Sequence, residues 1–387
     1  MVIISFLLPN TLVKDEHTFY NTAVSFRNLD FANFFTLIKT YNSPQTPIVF
    51  LVSGFLLKIN NSIFLLRCFD SITIFAALFI FCKTIELLNF KKFEYKLLIA
   101  GTLLLNPYFH FIGILFYTDA LYIFVISIIL YSIILKRKNI IYYAALFFLP
   151  LIRQFGIIFA PSDIADNIKL EYPFFNKHAV YSALTLSGPL IVFWLWCGFM
   201  PDNSFRASMN IIRHKYGYVF PYIPAYNLSA IGFYLSPLFL ALINKVKKEK
   251  IFYAGGLIAS VFYLCFPVQQ NFTNLFFQPN VTTLGFYHKT VVAVFGIHFF
   301  NVVLIIFSFL AGGWILILLT SKKIPDLFKI LIMFYFLMSL FNLQAWDKYL
   351  IDIEMIILIS IGTFIKNNES KIYYSHHVSS NGYPQHP

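Results

Sequence analysis

Long apolar runs separated by short polar segments repeat from residue 48 to residue 365, and their lengths set the first expectation. The runs Ser62–Cys82, Lys96–Phe116, Thr118–Leu135, Ala179–Phe199, Asn227–Ile243, Ile251–Pro267, Val291–Leu319, Leu327–Phe341 and Tyr349–Ile365 mostly approach the roughly 20 residues that a helix needs to cross a bilayer. Ile48–Ile59 is shorter and reads as a half-helix that does not cross. Met1–Val13, interrupted by Pro9-Asn10, is also too short, and the pattern predicts roughly 8–12 further apolar residues upstream of it. It lacks the basic segment and small-residue cleavage site of a signal peptide. Residues 15–45 are the least apolar long stretch of the first half. They read as amphipathic surface helices carrying Phe19, Tyr20, Val24 and Phe26, then Phe31, Phe34, Phe35 and Ile38, until Pro44 and Pro47 impose extended backbone.

Between Asn139 and Ala165 two short apolar segments flank Leu151-Ile152-Arg153-Gln154, and the arrangement of charge decides how to read them. Basic clusters occur at Lys91/Lys92/Lys96, Lys136/Arg137/Lys138, Lys245/Lys247/Lys248/Lys250 and Lys322/Lys323, and such clusters mark the cytoplasmic side. A single crossing over 139–160 would put the Lys245–Lys250 loop on the wrong side. A helical hairpin turning at Arg153 keeps all four clusters together. Asp15-Glu16, Tyr117-Thr118-Asp119, Arg153-Gln154, the loops 201–226 and 269–289 and Trp346-Asp347-Lys348-Tyr349 then share the opposite, luminal or periplasmic face. The sequons at Asn271 and Asn280 fall there too.

Composition agrees with this pattern. The 387 residues are 59% hydrophobic and only 12% charged, with 48 Phe and 24 Tyr, which places the chain in the membrane class. The expected fold is all-α and polytopic, with about 10–12 helices and juxtamembrane helices on the luminal or periplasmic face. Residues 1–366 form one transmembrane domain whose first loop is 15–47, and the polar tail 367–387 is expected to be disordered. The net charge of +12 sits in the orienting loops, so it implies no nucleic-acid partner. Cys68, Cys82, Cys197 and Cys265 lie in or at the edge of apolar runs and read as inert thiols. No Gly-rich nucleotide cradle is present; the glycine doublets Gly255-Gly256 and Gly312-Gly313 lie inside spans.

The chemistry on the shared face centres on Asp15 and Glu16, two carboxylates beside an apolar segment. An ionised pair is costly within hydrocarbon, so the dyad is expected in water at the membrane surface, as a general base or as a solvated pair of acids. Asp119 at a helix start is either a dipole-favoured first-turn acid or part of a site. Arg153, in an apolar hairpin, needs either a ligand or a counter-charge. A phosphate suits its planar fork, and a salt bridge to Asp119 or Asp15 is the alternative. Arg67 and Asp70 are spaced to pair within one helix. In the 201–226 loop, Arg206, Arg213, His214 and Lys215 precede Tyr216, Tyr218, Tyr222 and Tyr226, which form either an interfacial belt or a glycan surface. Lys348 and His288 are weaker candidates for anion contacts. Asp15, Glu16 and His17 are adjacent, which admits a divalent metal, but adjacent side chains rarely converge on one ion and no metal-ligand spacing is present.

Taken together, Asp15-Glu16-His17, Ser43-Pro44-Gln45-Thr46-Pro47, Leu66-Arg67, Phe116-Tyr117-Thr118-Asp119, Arg153-Gln154 and Lys348-Tyr349 resemble the GT-C glycosyltransferases, and within them the dolichyl-phosphate-glucose alpha-glucosyltransferases. The likeness is carried by the first 160 residues. It departs where the paired prolines are split as Pro44 and Pro47 and in the residues after Gln154. The resemblance implies an inverting transfer of a sugar, glucose in the nearest relatives, from a polyprenyl-phosphate donor to a lipid-linked glycan or other acceptor. On that reading the protein is an integral membrane enzyme of the bacterial inner membrane or the endoplasmic reticulum. Asp15 is its base with Glu16 beside it; Arg153, Gln154, Asp119, Arg213 and Lys348 contact the donor; Tyr117, Tyr218 and Tyr222 contact the acceptor. The alternative class is a polytopic carrier, lipid-glycan flippase or glycan polymerase.

Overall fold

The computed structural model describes residues 12, 14–30, 32–170, 177–270, 281–282, 285–342 and 350–380. Helices α1 (Lys14–Arg27), α2 (Phe34–Thr40) and α3 (Ile48–Ile59) precede the first long helix, α4 (Ile63–Leu87). The run expected as one span over Lys96–Phe116 is instead α5 (Phe93–Leu105) and α6 (Pro107–Ile114), bent by 63°. The cause is local: Pro107 has no N–H to continue α5, and Asn106 caps α6 by accepting from the Tyr108 N–H at 2.9 Å. Asn106 also donates to one oxygen of the buried Glu354 at 2.8 Å, which ties the break to the helix that carries Glu354.

Helix α7 (Asp119–Ile134) leads through Lys136–Lys138 to α8 (Ile140–Ile152), a 3-10 turn over Gln154–Ile158 and α9 (Phe159–Leu170). The break falls at Arg153, where the backbone is extended, as the placement of the basic clusters required. The chain doubles back there: Tyr142 near the start of α8 donates to Asp163 of α9 at 2.7 Å, and Lys138 pairs with the same carboxylate at 2.7 Å. Helices α10 (Lys177–Thr185) and α11 (Ser187–Trp196) follow, then the amphipathic α12 (Ser204–Tyr216).

The expected span Asn227–Ile243 is divided into α13 (Tyr222–Tyr234), α14 (Ser236–Ala241) and α15 (Ile243–Val246), with Pro237 interrupting the ladder. Helix α16 (Lys250–Cys265) is continuous, whereas Val291–Leu319 is broken into α17 (Phe286–Phe295) and α18 (Phe300–Thr320) at Gly296, whose φ of +78° only glycine adopts readily. Helix α19 (Asp326–Ser339) precedes α20 (Ile351–Ser380). Its backbone stays helical through Ser380, past Lys366 where a disordered tail was expected. Asn367 donating to the Lys323 carbonyl at 2.9 Å, and Lys323 to Asn368, hold its extension against the α18–α19 turn. Gln269–Gln270 and Val281–Thr282 make a two-residue parallel pairing.

Among the described residues, three helical stretches are long and apolar enough to cross a membrane: Ile63–Leu87, Lys177–Trp196 and Ile297–Thr320, with the bent pair α5–α6 a fourth. Their outward faces are apolar, as Ile72, Phe75 and Phe79 on α4 and Leu190, Ile191 and Trp194 on α11 illustrate. Inside, a large apolar core joins α4–α8 to α13–α20, and a smaller one built on Phe19, Phe26, Tyr41, Phe50 and Trp196 seats α1–α3. The glycine doublets serve packing. A Cβ on Gly255 would overlap the Gly312 carbonyl oxygen, so α16 and α18 meet backbone to backbone.

Candidate functional site

One cavity of about 610 Å³ gathers much of the polar chemistry, and its size is ordinary for a small-molecule site, roughly 300–1,000 Å³. Asp119, Arg153, Gln154, Arg213 and Tyr218 all line it, as does Asp352 of α20. They arrive from elements far apart in the chain, and three of them sit at a helix end or break. Asp119 opens α7, Arg153 separates α8 from its 3-10 turn, and Asp352 lies in the first turn of α20. Asp119 and the basic cluster after Ile134 are at opposite ends of α7, so the cavity and those lysines lie about 24 Å apart along its axis.

Arg153 pairs with Asp119, the salt bridge left open as one of its two roles. Both side chains are largely buried, and the second oxygen of Asp119, Oδ2, is buried with no hydrogen-bond partner among the described residues. The hydroxyl of Thr118 beside it is likewise buried without one. Gln154 spends its amide donor on the carbonyls of Pro44 and, at 3.3 Å, Phe199, so it is a strut between two rim segments. Further bonds complete that wall: the Trp196 indole donates to the Ile38 carbonyl at 2.7 Å, the Asp202 N–H to Lys39 at 2.8 Å and the Asn203 amide to Tyr41 at 2.8 Å. Tyr41 is buried, which pushes its phenol well above the ordinary range and keeps it a donor, to the Gln45 carbonyl. Asn203 also caps α12, whose Met209 and Arg213, one turn apart, line the cavity. Arg206, on the same helix, donates to the carbonyls of Trp196 at 2.5 Å and Cys197 at 2.9 Å and closes the end of α11.

Glu16 is not where the sequence placed it. Its carboxylate is fully buried and forks with Arg67, Nε to Oε1 at 2.8 Å and Nη2 to Oε2 at 2.7 Å. Oε1 also accepts the Phe116 N–H at 2.9 Å. Arg67 therefore does not pair with Asp70, which instead accepts the Tyr117 N–H at 2.7 Å. The reason is geometric: the Leu115–Thr118 link between α6 and α7 is non-helical, and its N–H groups need acceptors inside the protein. A buried salt bridge therefore occupies the position assigned to a water-facing acid. The Asp15 side chain and Lys348 lie outside the described residues, as do Asn271 and Asn280.

Tyr117 and Tyr222, expected to meet an acceptor, do not line the cavity. Tyr117 packs edge-on to Phe19 at 5.8 Å, and Tyr222 is buried against Phe220 at 6.0 Å. Tyr218 is exposed at the cavity mouth beside His214. His17 turns to Asn21 at 3.1 Å while Glu16 turns inward, so these neighbours diverge; among the described residues no group of three or more His, Cys, Asp or Glu side chains could hold a metal.

The sequence reading missed Asp352, Tyr122 and Tyr335 at the buried end of the cavity. Tyr122 donates to Asp352 Oδ2 at 3.3 Å, and the Ile353 N–H donates to Oδ1 at 2.8 Å. An available signal was the pair Asp352 and Glu354 opening an apolar run, since acids there are rare unless they serve a function. Comparison with protein-family models, with curated proteins and with solved structures finds no match to this chain.

Proposed function

We propose that the chain is a multi-pass membrane glycosyltransferase of GT-C type that takes a sugar from a polyprenyl phosphate and passes it to a lipid-linked glycan or similar acceptor at the luminal or periplasmic face. The observation that carries the proposal is the cavity itself. It brings guanidinium groups (Arg153, Arg213) and buried carboxylates (Asp119, Asp352) to one place, with Phe199, Tyr218 and Phe341 exposed at its opening. Cations suit a phosphate, carboxylates and tyrosines suit sugar hydroxyls, and an aromatic opening suits an isoprenoid chain. Shorter apolar helices such as α7, α8 and α16 complete the polytopic bundle alongside the long ones.

In the reaction, an acceptor hydroxyl oxygen bonds to the anomeric carbon as the bond from that carbon to the phosphate oxygen breaks. Polyprenyl phosphate departs with the electron pair, and a carboxylate takes the hydroxyl proton. The resemblance gives that role to Asp15. Glu16 locks the start of the helix that carries it, through Arg67. The test is incubation of the purified protein in lipid nanodiscs with a panel of radiolabelled polyprenyl-phosphate sugars and membrane lipid extract. Label should move to a larger lipid-linked product, and Asp15→Asn should lower turnover by roughly 10²–10⁴. Full activity of Asp15→Asn removes the base assignment; transfer from no donor removes the enzyme.

A second reading, a polytopic carrier, is favoured by the 63° break of α5–α6 with the Asn106–Glu354 bond beside it, because carriers place polar groups at broken helices. Flux of labelled lipid-linked sugar across proteoliposomes without chemical change would select it.

A further inference from the structure

The charged groups on the cavity are not equivalent, and their differences give the ligand a direction. Asp119, Tyr122 and Asp352 are buried and form its deep end, whereas Phe199 and Tyr218 are more than half exposed and form its mouth. At the deep end the positive charge of Arg153 is taken by Asp119. Asp352 has no ion-pair partner among the described residues; its Oδ2 receives the Tyr122 hydroxyl at a long 3.3 Å. Asp119 Oδ2 receives no hydrogen bond from the described residues. Two carboxyl groups beside one guanidinium leave this end rich in acceptor oxygens and short of hydrogen-bond donors. An anion would find few donors there, while a group rich in hydroxyl donors would satisfy both oxygens.

Arg213 is the opposite case. It lies on α12, an exposed helix near the mouth; its Nε has no partner and its side chain makes no ion pair among the described residues.

We infer that the deep end is a subsite for the hydroxyl groups of a pyranose, with Asp352 as the acceptor that reads them, and that Arg213 at the mouth holds the phosphate joining that sugar to its lipid. Arg153 then acts as the partner that holds Asp119 in place rather than as the phosphate ligand. This rests on the transferase reading, and it adds an orientation: sugar inward, phosphate at α12, isoprenoid outward past Phe199.

The experiment is a binding titration of the full chain in nanodiscs by intrinsic fluorescence, with two probes: a short polyprenyl phosphate and the same lipid carrying a hexose on the phosphate. The wild type should bind the hexose-bearing lipid more tightly than the bare phosphate. Asp352→Asn, which replaces one acceptor oxygen by an amide donor, should weaken the hexose-bearing lipid about 10-fold and leave the bare phosphate unchanged. Arg213→Gln should weaken both alike. Tyr122→Phe, which keeps the ring and removes the hydroxyl that orients Asp352, should weaken the hexose-bearing lipid alone and stands in if Asp352→Asn does not fold. Equal weakening of both probes by Asp352→Asn, or undiminished binding of bare phosphate by Arg213→Gln, overturns the orientation while the transferase reading stands. Binding of neither probe by the wild type overturns both.

Discussion

Replacing Glu16 with alanine separates a buried anchor from a water-facing catalytic acid. The carboxylate makes two charge-assisted bonds to Arg67 and one to the Phe116 N–H, all at 2.7–2.9 Å, and both charged side chains are at most 1% exposed. Removing it takes away one side of the fork with the buried Arg67 guanidinium, and breaking a buried pair on one side costs about 3–5 kcal/mol. It also orphans the Phe116 N–H, about 1–3 kcal/mol more if that donor finds no other acceptor. The two costs overlap because the site relaxes, so the expected loss is about 4 kcal/mol, a large part of a typical stability of about 5–15 kcal/mol. The double variant Glu16→Leu/Arg67→Met removes both charges and keeps the volume. The lost pair is then close to neutral, and what remains is the orphaned N–H, at about 1–3 kcal/mol. Titration of the purified protein with a denaturing detergent, followed by near-ultraviolet circular dichroism, should therefore rank wild type above the double variant and the double variant above Glu16→Ala. If Glu16→Ala unfolds within about 1 kcal/mol of wild type yet loses transfer activity, the anchor role fails and Glu16 returns to the active site.

Two further outcomes are expected. In a background lacking the exposed Cys197 and Cys265, a cysteine at Ser204 should react with an impermeant maleimide from the luminal or periplasmic side and one at Asn244 should not; both positions are exposed, so reversal of the two results inverts the orientation. Gly232→Ala drives a Cβ into the Phe307 carbonyl oxygen and should destabilise by about 1–3 kcal/mol or more, whereas Gly101→Ala meets nothing within 4 Å and should be neutral or slightly stabilising in the same titration.

Where apolar runs needed only to be continuous, they were legible. Ser62–Cys82, Thr118–Leu135, Ile251–Pro267 and Leu327–Phe341 correspond to α4, α7, α16 and α19 within a few residues at most ends. The turn at Arg153 was legible from charge placement, because a basic loop on the wrong side is a global inconsistency that one local hairpin removes. The breaks at Asn106 and Gly296 were not, since hydropathy averaged over a run hides a single capping residue or a single residue with positive φ. Such breaks survive in an apolar setting only where the freed backbone groups find partners, and at Asn106 the partner of the Tyr108 N–H is the Asn106 side chain itself.

Separation along the chain explains which site residues were found. Asp119 and Arg153 carry their signal locally, as ionisable residues in apolar surroundings, and Asp119 was one of two partners expected for Arg153. The partner of Glu16 lies 51 residues away and the hydroxyl that reaches Asp352 lies 230 residues away, separations at which spacing says nothing. What the sequence did contain is the set of ionisable residues inside or at the ends of apolar runs: Arg67, Asp70, Asp119, Arg153, Asp352 and Glu354. Hydrocarbon cost forces each of them to find a partner or a ligand. The fold gives most of them a partner: Arg67 takes Glu16, Asp70 takes a backbone N–H, and one oxygen of Glu354 takes Asn106. Asp119 and Asp352 retain oxygens with no partner among the described residues or only a long contact, and both oxygens belong to residues on one cavity. Unspent acceptors buried beside one cavity are costly to keep, and a ligand with matching donors is a physical reason to keep them.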